Sequence, residues 1–166
     1  MGDLADRAAT DDKELLASFI DTQREAMLAL AGGLSDEALR KRLVQSDTTI
    51  LGMIRHLAYV ERWWFQDVFE GRVCSYPWTD DDPDADFRVE SGETTAQILD
   101  LYRAECETSR SIFEEHDLGD VSVSSERPSC SLKWVVLHMI EETARHAGQA
   151  DILREQLDGK TGLGDP

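Results

Sequence analysis

The chain has 166 residues, 41% of them hydrophobic and 31% charged, a folded globular composition with room for one sizeable core. Its 17 Lys and Arg stand against 34 Asp and Glu, a net charge of −17, which repels phosphate backbones and anionic lipid surfaces and argues against nucleic-acid or membrane-surface binding. No apolar run approaches the roughly 20 residues of a membrane helix.

Four long segments repeat at helical period, and almost nothing alternates at strand period. The first spans about Asp12 to Ala31, with Leu15, Leu16, Phe19, Ile20, Gln23, Met27 and Leu30 three and four apart, and ends at Gly32 and Gly33. A short helix, Ser35 to Leu43, follows with Ser35 as its N-cap. The second long helix starts after Ser46, Asp47 and Thr48 and carries Ile50, Ile54, Leu57, Trp64 and Val68 before Gly71. Residues Arg72 to Gly92 read as a long acidic connection. Thr94 with Gln97 forms a capping-box pattern that opens the third long helix, through Ile98, Leu101, Tyr102, Cys106, Ile112 and Phe113. Val121 to Ser129 is the only β-flavoured stretch, limited by Pro128. Ser131 caps the fourth long helix, which runs to about Leu157 and ends at Gly159, leaving Lys160 to Pro166 as a loose tail. Each apolar stripe must be buried against another. The expected fold is therefore all-α, a four-helix bundle with a long connection between the second and third helices, forming one domain over residues 1–166 with its core at about 12–159.

Helix bundles build metal and cofactor sites from inward-facing polar side chains on facing helices. On the fourth helix Leu132, Val135, Met139, Thr143, Ala150, Leu153 and Leu157 define an apolar arc, and His146 projects into its middle. Glu142, one turn earlier, lies on the flank of that arc, so the acid and the imidazole can converge on one ion or one proton. Burying Glu142 without a partner would cost several kcal/mol, the physical argument for a site. His56 on the second helix is a candidate third ligand, although it sits off the centre of its stripe and the helical wheel alone does not turn it inward. Two histidines and a carboxylate suit Zn²⁺ in a catalytic site, and Ni²⁺ or Fe²⁺ less specifically. A solvated Glu–His pair is the competing reading.

The stretch Ser131 to Glu155 (SLKWVVLHMIEETARHAGQADILRE) resembles the last helix of the DinB superfamily, and Thr49 to Trp64 (TILGMIRHLAYVERWW) resembles its second. The branch most resembled is the actinobacterial one of mini-circle proteins, near the mycothiol-dependent maleylpyruvate isomerases. The resemblance runs from about Asp12 to Gly162 and includes the connection Asp81 to Phe87 (DDPDADF). It implies a divalent metal, often Zn²⁺ or Ni²⁺, held by one residue of the second helix and two of the fourth: His56, Glu142 and His146. It also implies a low-molecular-weight thiol such as mycothiol as cosubstrate, activated as thiolate for S-transfer or isomerisation of a small electrophilic metabolite or toxin, and a homodimer. Many relatives carry His where this chain has Glu142, whereas the mycothiol-dependent isomerases carry Glu. Close relatives usually carry His where this chain has Gln149. A metal-dependent hydrolase and a non-catalytic, metal-stabilised stress-response bundle are the alternative functions.

Trp63, Gln149 and Arg154 are candidate contacts for the thiol cofactor, with structural ion pairing as the other reading for Arg154. Of the adjacent Trp63 and Trp64, one is expected in the core and the other beside His56. His138, a turn before Glu142, is read as half-exposed or as an outer neighbour of the site, with an extra ligand as the alternative. His116 is read as a solvated residue at a helix C-terminus. Asp80, Asp82, Asp84 and Asp86 suggest a calcium loop, but Ala85 and Ser91 stand where that loop needs glycine and an acid. A solvated loop is expected instead. Cys74, Cys106 and Cys130 are odd in number and far apart, which argues against a disulfide framework, and Cys106 reads as core. Met1 to Lys13 is acidic and lacks the basic flank and apolar centre of a signal peptide, so the protein is expected in the cytoplasm.

Overall fold

The structure, a computed structural model, describes residues 11–123 and 129–161. Helix α1 covers Asp12–Ala31. Asp11 caps its N-terminus by accepting from the Lys13 amide at 2.6 Å, and Asp12 and Glu14 place acid at the positive end of the helix. Gly33 turns the chain away at φ 76°. Helix α2 is Asp36–Leu39, capped by Ser35 as expected but four residues shorter than Leu43 would make it. The Arg42 guanidinium donates to the Val44 and Gln45 carbonyls and to Asp47. A side-chain donor thus satisfies backbone carbonyls of the irregular segment that follows the helix.

Helix α3, Ile50–Glu61, is capped by Thr49, whose hydroxyl accepts from the Gly52 amide at 3.0 Å. It does not continue as an ordinary helix. Residues Arg62–Phe69 form a π-helix, with wider turns. Widening resets which side chains face inward: Phe65, Val68 and Phe69 are buried, while Trp63 and Trp64 are both half-buried. Neither tryptophan is therefore a fully buried core residue. Helix α4, Thr95–Glu115, opens on the predicted capping box, Thr94 and Gln97 bonding each other's backbone amides. Helix α5, Leu132–Asp158, is capped by Ser131 and closed by Gly159 at φ 76°. Val121 pairs with Ser131 as an isolated bridge. Pro128, most of the β-flavoured stretch and the tail beyond residue 161 lie outside the described residues. Among the described residues no helix is long and apolar enough to cross a membrane.

The long helices bury their stripes against one another, α1 on α5 and α3 on α4, with α3 also reaching α5. One apolar cluster gathers Met27, Leu51, Ile54, Leu57, Ile98 and Tyr102, and Cys106 lies in it as expected. A second gathers Phe65, Phe69, Leu132, Val135 and Met139. Each such side chain contributes about 1.5–3 kcal/mol of transfer free energy, enough together to fix the helix positions. Two buried arginines refine the packing. Arg24 on α1 meets Glu61 on α3 in a two-armed pair, both bonds at 2.7 Å, with Glu61 fully buried. Arg154 on α5 donates to the Leu30 and Gly32 carbonyls at 2.6 and 2.8 Å. That arginine closes the C-terminal carbonyls of α1, which have no partner within the helix.

Candidate metal centre

Where α3 crosses α5, His56, Glu142 and His146 come together. The His146 Nε2 atom lies 3.2 Å from Glu142 Oε1, and His56 Nε2 lies 3.5 Å from the same oxygen. One ligand atom of each residue falls within 4.8 Å of the others, and among the described residues no other trio of possible ligands is so close. The two imidazoles stand edge to face, 4.9 Å between ring centres. His146 is buried, as its central place in the arc predicts, and His56 and Glu142 are half-buried.

The outward atoms of all three are already committed. His56 Nδ1 donates to Asp86 Oδ2 at 2.7 Å, His146 Nδ1 to Gln149 Oε1 at 2.9 Å, and Arg145 donates to Glu142 Oε2 at 3.0 Å. With a proton on each Nδ1, a neutral ring presents the lone pair of Nε2 to the Glu142 carboxylate. Two lone pairs and a carboxylate facing one point repel unless a cation sits among them, either protons or a metal. The ionisation behaviour reflects this. The hydrogen bond with His146 and the neighbouring His56 imidazole hold Glu142 well below the ordinary carboxylate range. Burial disfavours the His56 imidazolium, yet Asp86 and Glu142 outweigh it and raise the ring above its usual value.

The donor set fits a divalent metal. His56 Nε2 is buried with no hydrogen-bond partner, an arrangement that costs free energy without a cation. Zinc bonds of about 2.0–2.1 Å at tetrahedral angles place two ligands roughly 3.3 Å apart, close to the separations of both imidazoles from Glu142 Oε1. Three protein ligands leave a fourth position open, as in catalytic rather than structural zinc sites.

Asp86 was expected in a solvated loop, and it is buried, 3% exposed. The expectation failed because residues 85–87 fold against α3, with the Phe87 ring stacked on His56 at 3.9 Å and 15°. Nor is Glu142 the only acid turned inward, since Glu61 and Glu105 are buried too. The other candidates are spread along the bundle. Gln149 joins the cluster through His146. Arg154 bonds the end of α1 and Asp158. Trp63 stands edge-on to Trp64, which packs against Trp134 and His138. His138 is stacked on Trp134, in that aromatic group and not in the ligand trio. His116 caps α4 half-buried, edge-on to Phe69 and near Glu70 and Asp120, where a solvated residue was expected.

A helix bundle whose second and last long helices bring these three side chains together has the architecture of the DinB superfamily. Within it the chain belongs to the mycothiol S-transferase family, whose sequence model matches residues 15–159. None of the curated proteins matches the sequence. The chain resembles in fold a crystal structure described as the conserved protein of locus from Enterococcus faecalis. That likeness has a TM-score of 0.66 at 15% identity, covering 92% of this chain and 100% of the other.

Proposed function

We propose that the chain is a metal-dependent S-transferase or isomerase in which His56, Glu142 and His146 hold a divalent ion, zinc foremost, beside a position for a mycothiol-type thiol. The observation that carries this reading is the convergence of both Nε2 atoms on Glu142 Oε1 while both Nδ1 atoms are tied outward. Zinc bound there would supply the charge that keeps a coordinated thiol deprotonated at neutral pH. The chain's own residues do the rest. The imidazoles donate neutral lone pairs, Glu142 contributes the single negative charge, and Arg145 holds the carboxylate's outer oxygen in place.

The protein's own sulfur does not compete for this role. No cysteine joins the trio among the described residues, and burial beside Glu61 pushes the Cys106 thiol far up, keeping it protonated. In this reading the nucleophile is a thiol from solution, as the family's description suggests. A small electrophilic substrate and a homodimer belong to the same reading and rest on the family resemblance, while a cytoplasmic setting and a single domain rest on the sequence pattern and length. The test is a cobalt-substituted protein titrated with mycothiol or a simpler thiol. A thiolate-to-metal charge-transfer band that saturates with added thiol is expected. A spectrum indifferent to thiol removes the transferase reading and favours the hydrolytic or non-catalytic one.

A further inference from the structure

Residues 85–87 of the acidic connection are fastened to one turn of α3, the turn that carries His56. A Cβ on Gly52 would stand 2.3 Å from the Phe87 carbonyl oxygen. Only glycine at that position lets the segment lie flush on the helix. Arg55, itself 4% exposed, donates to the Ala85 and Asp86 carbonyls at 3.1 and 2.9 Å and to the Glu93 carboxylate. The nearby guanidinium thus takes the backbone of Asp86 and leaves its carboxylate alone. That buried carboxylate spends Oδ2 on His56 Nδ1 at 2.7 Å, and its Oδ1 has no partner. A carboxylate placed only to hold the loop would have paired with Arg55. This one is aimed at the imidazole.

We propose that Asp86 is a positioning residue: carried on the strap that Gly52 and Arg55 seat, it fixes His56 as the Nδ1–H tautomer and turns the Nε2 lone pair toward Glu142 and His146. The stacked Phe87 ring holds the imidazole plane. Outer partners of this kind orient a metal-binding histidine and raise its basicity, and their loss costs about 10–100-fold in metal affinity. The consequence for metal binding rests on the ligand assignment proposed above, whereas the tautomer does not depend on it.

Both parts can be read in the full chain. Long-range proton–nitrogen NMR of the metal-free protein, at alkaline pH where the ring is neutral, is expected to show His56 protonated at Nδ1. In Asp86→Ala the proton should redistribute toward Nε2. Zinc affinity, measured by competition with a chromophoric chelator, should fall about 10–100-fold, with an unchanged far-UV spectrum. Asp86→Asn keeps an acceptor oxygen and should lose less. Gly52→Ala leaves the carboxylate intact but lifts the strap, and should reproduce the Asp86→Ala tautomer and affinity. An Asp86→Ala protein that keeps the Nδ1–H tautomer, or keeps wild-type affinity within twofold, overturns the proposal. A wild-type protein that binds no zinc at all overturns the ligand assignment, and the NMR result then decides the tautomer claim by itself.

Discussion

Replacing His146 with alanine is expected to abolish stoichiometric metal binding while leaving the bundle folded. His146 sits at the centre of the α5 arc, its Nε2 3.2 Å from Glu142 and its Nδ1 held by Gln149. Truncation removes one of the three proposed protein donors, so the loss should exceed the roughly 100-fold ceiling for outer partners. Binding that is specific to the native state stabilises it by mass action, about 4.1 kcal/mol at a thousand times Kd. Zinc should therefore raise the wild-type Tm and leave that of His146→Ala unmoved. His138→Ala is the control. That ring lies one turn earlier but stacks on Trp134 and meets Trp64, so its removal should keep one metal per chain and the zinc-dependent rise. A His146→Ala protein with full metal content would show that the three residues are not the ligands.

The second large effect is structural. Glu61 is fully buried and gives both carboxylate oxygens to Arg24, which is 3% exposed. Glu61→Ala leaves a buried guanidinium with only the half-buried Asp21 beside it. Breaking a buried pair from one side costs about 3–5 kcal/mol, whereas replacing both partners with apolar groups is often neutral. For a chain of this length the single variant should lose roughly 6–20 °C in Tm. The Arg24→Met, Glu61→Leu double variant should stay close to wild type. Denaturation midpoints decide this, and a Glu61→Ala protein as stable as wild type would show that the pair contributes little.

Much of the fold was legible because helix ends carry their own chemistry. Ser35, Thr94, Ser131 and the glycines after α1 and α5 mark boundaries through local hydrogen bonding and backbone freedom. The π-helix was not legible. No proline or glycine interrupts Arg62 to Phe69, and the shift in register is settled by tertiary packing, so Phe65 and Phe69 took the inward places that helical spacing gave to Trp64.

The site divides in the same way. His146 and Glu142 could be found by counting along α5. His56 needed the family resemblance, because its helical wheel left its direction open. Asp86 was hidden because it lies in a connection, where burial depends on what distant residues do, here Gly52 and Arg55 on α3. A signal for Glu61 was present and unused: it follows Ile54 and Leu57 on the same apolar stripe, at the spacing that buries them. Arg24 likewise falls between Ile20 and Met27. A charge on a buried stripe needs an opposite charge facing it.

The central claim is that these three residues hold a metal with a position open to an external thiol. X-ray absorption at the zinc edge of the loaded protein, with and without thiol, tests it most directly. The expected first shell without thiol is nitrogen and oxygen only, at about 2.0–2.2 Å, and saturating thiol should add one sulfur at about 2.3 Å. Sulfur in the shell before thiol is added, or none after it, would contradict the account.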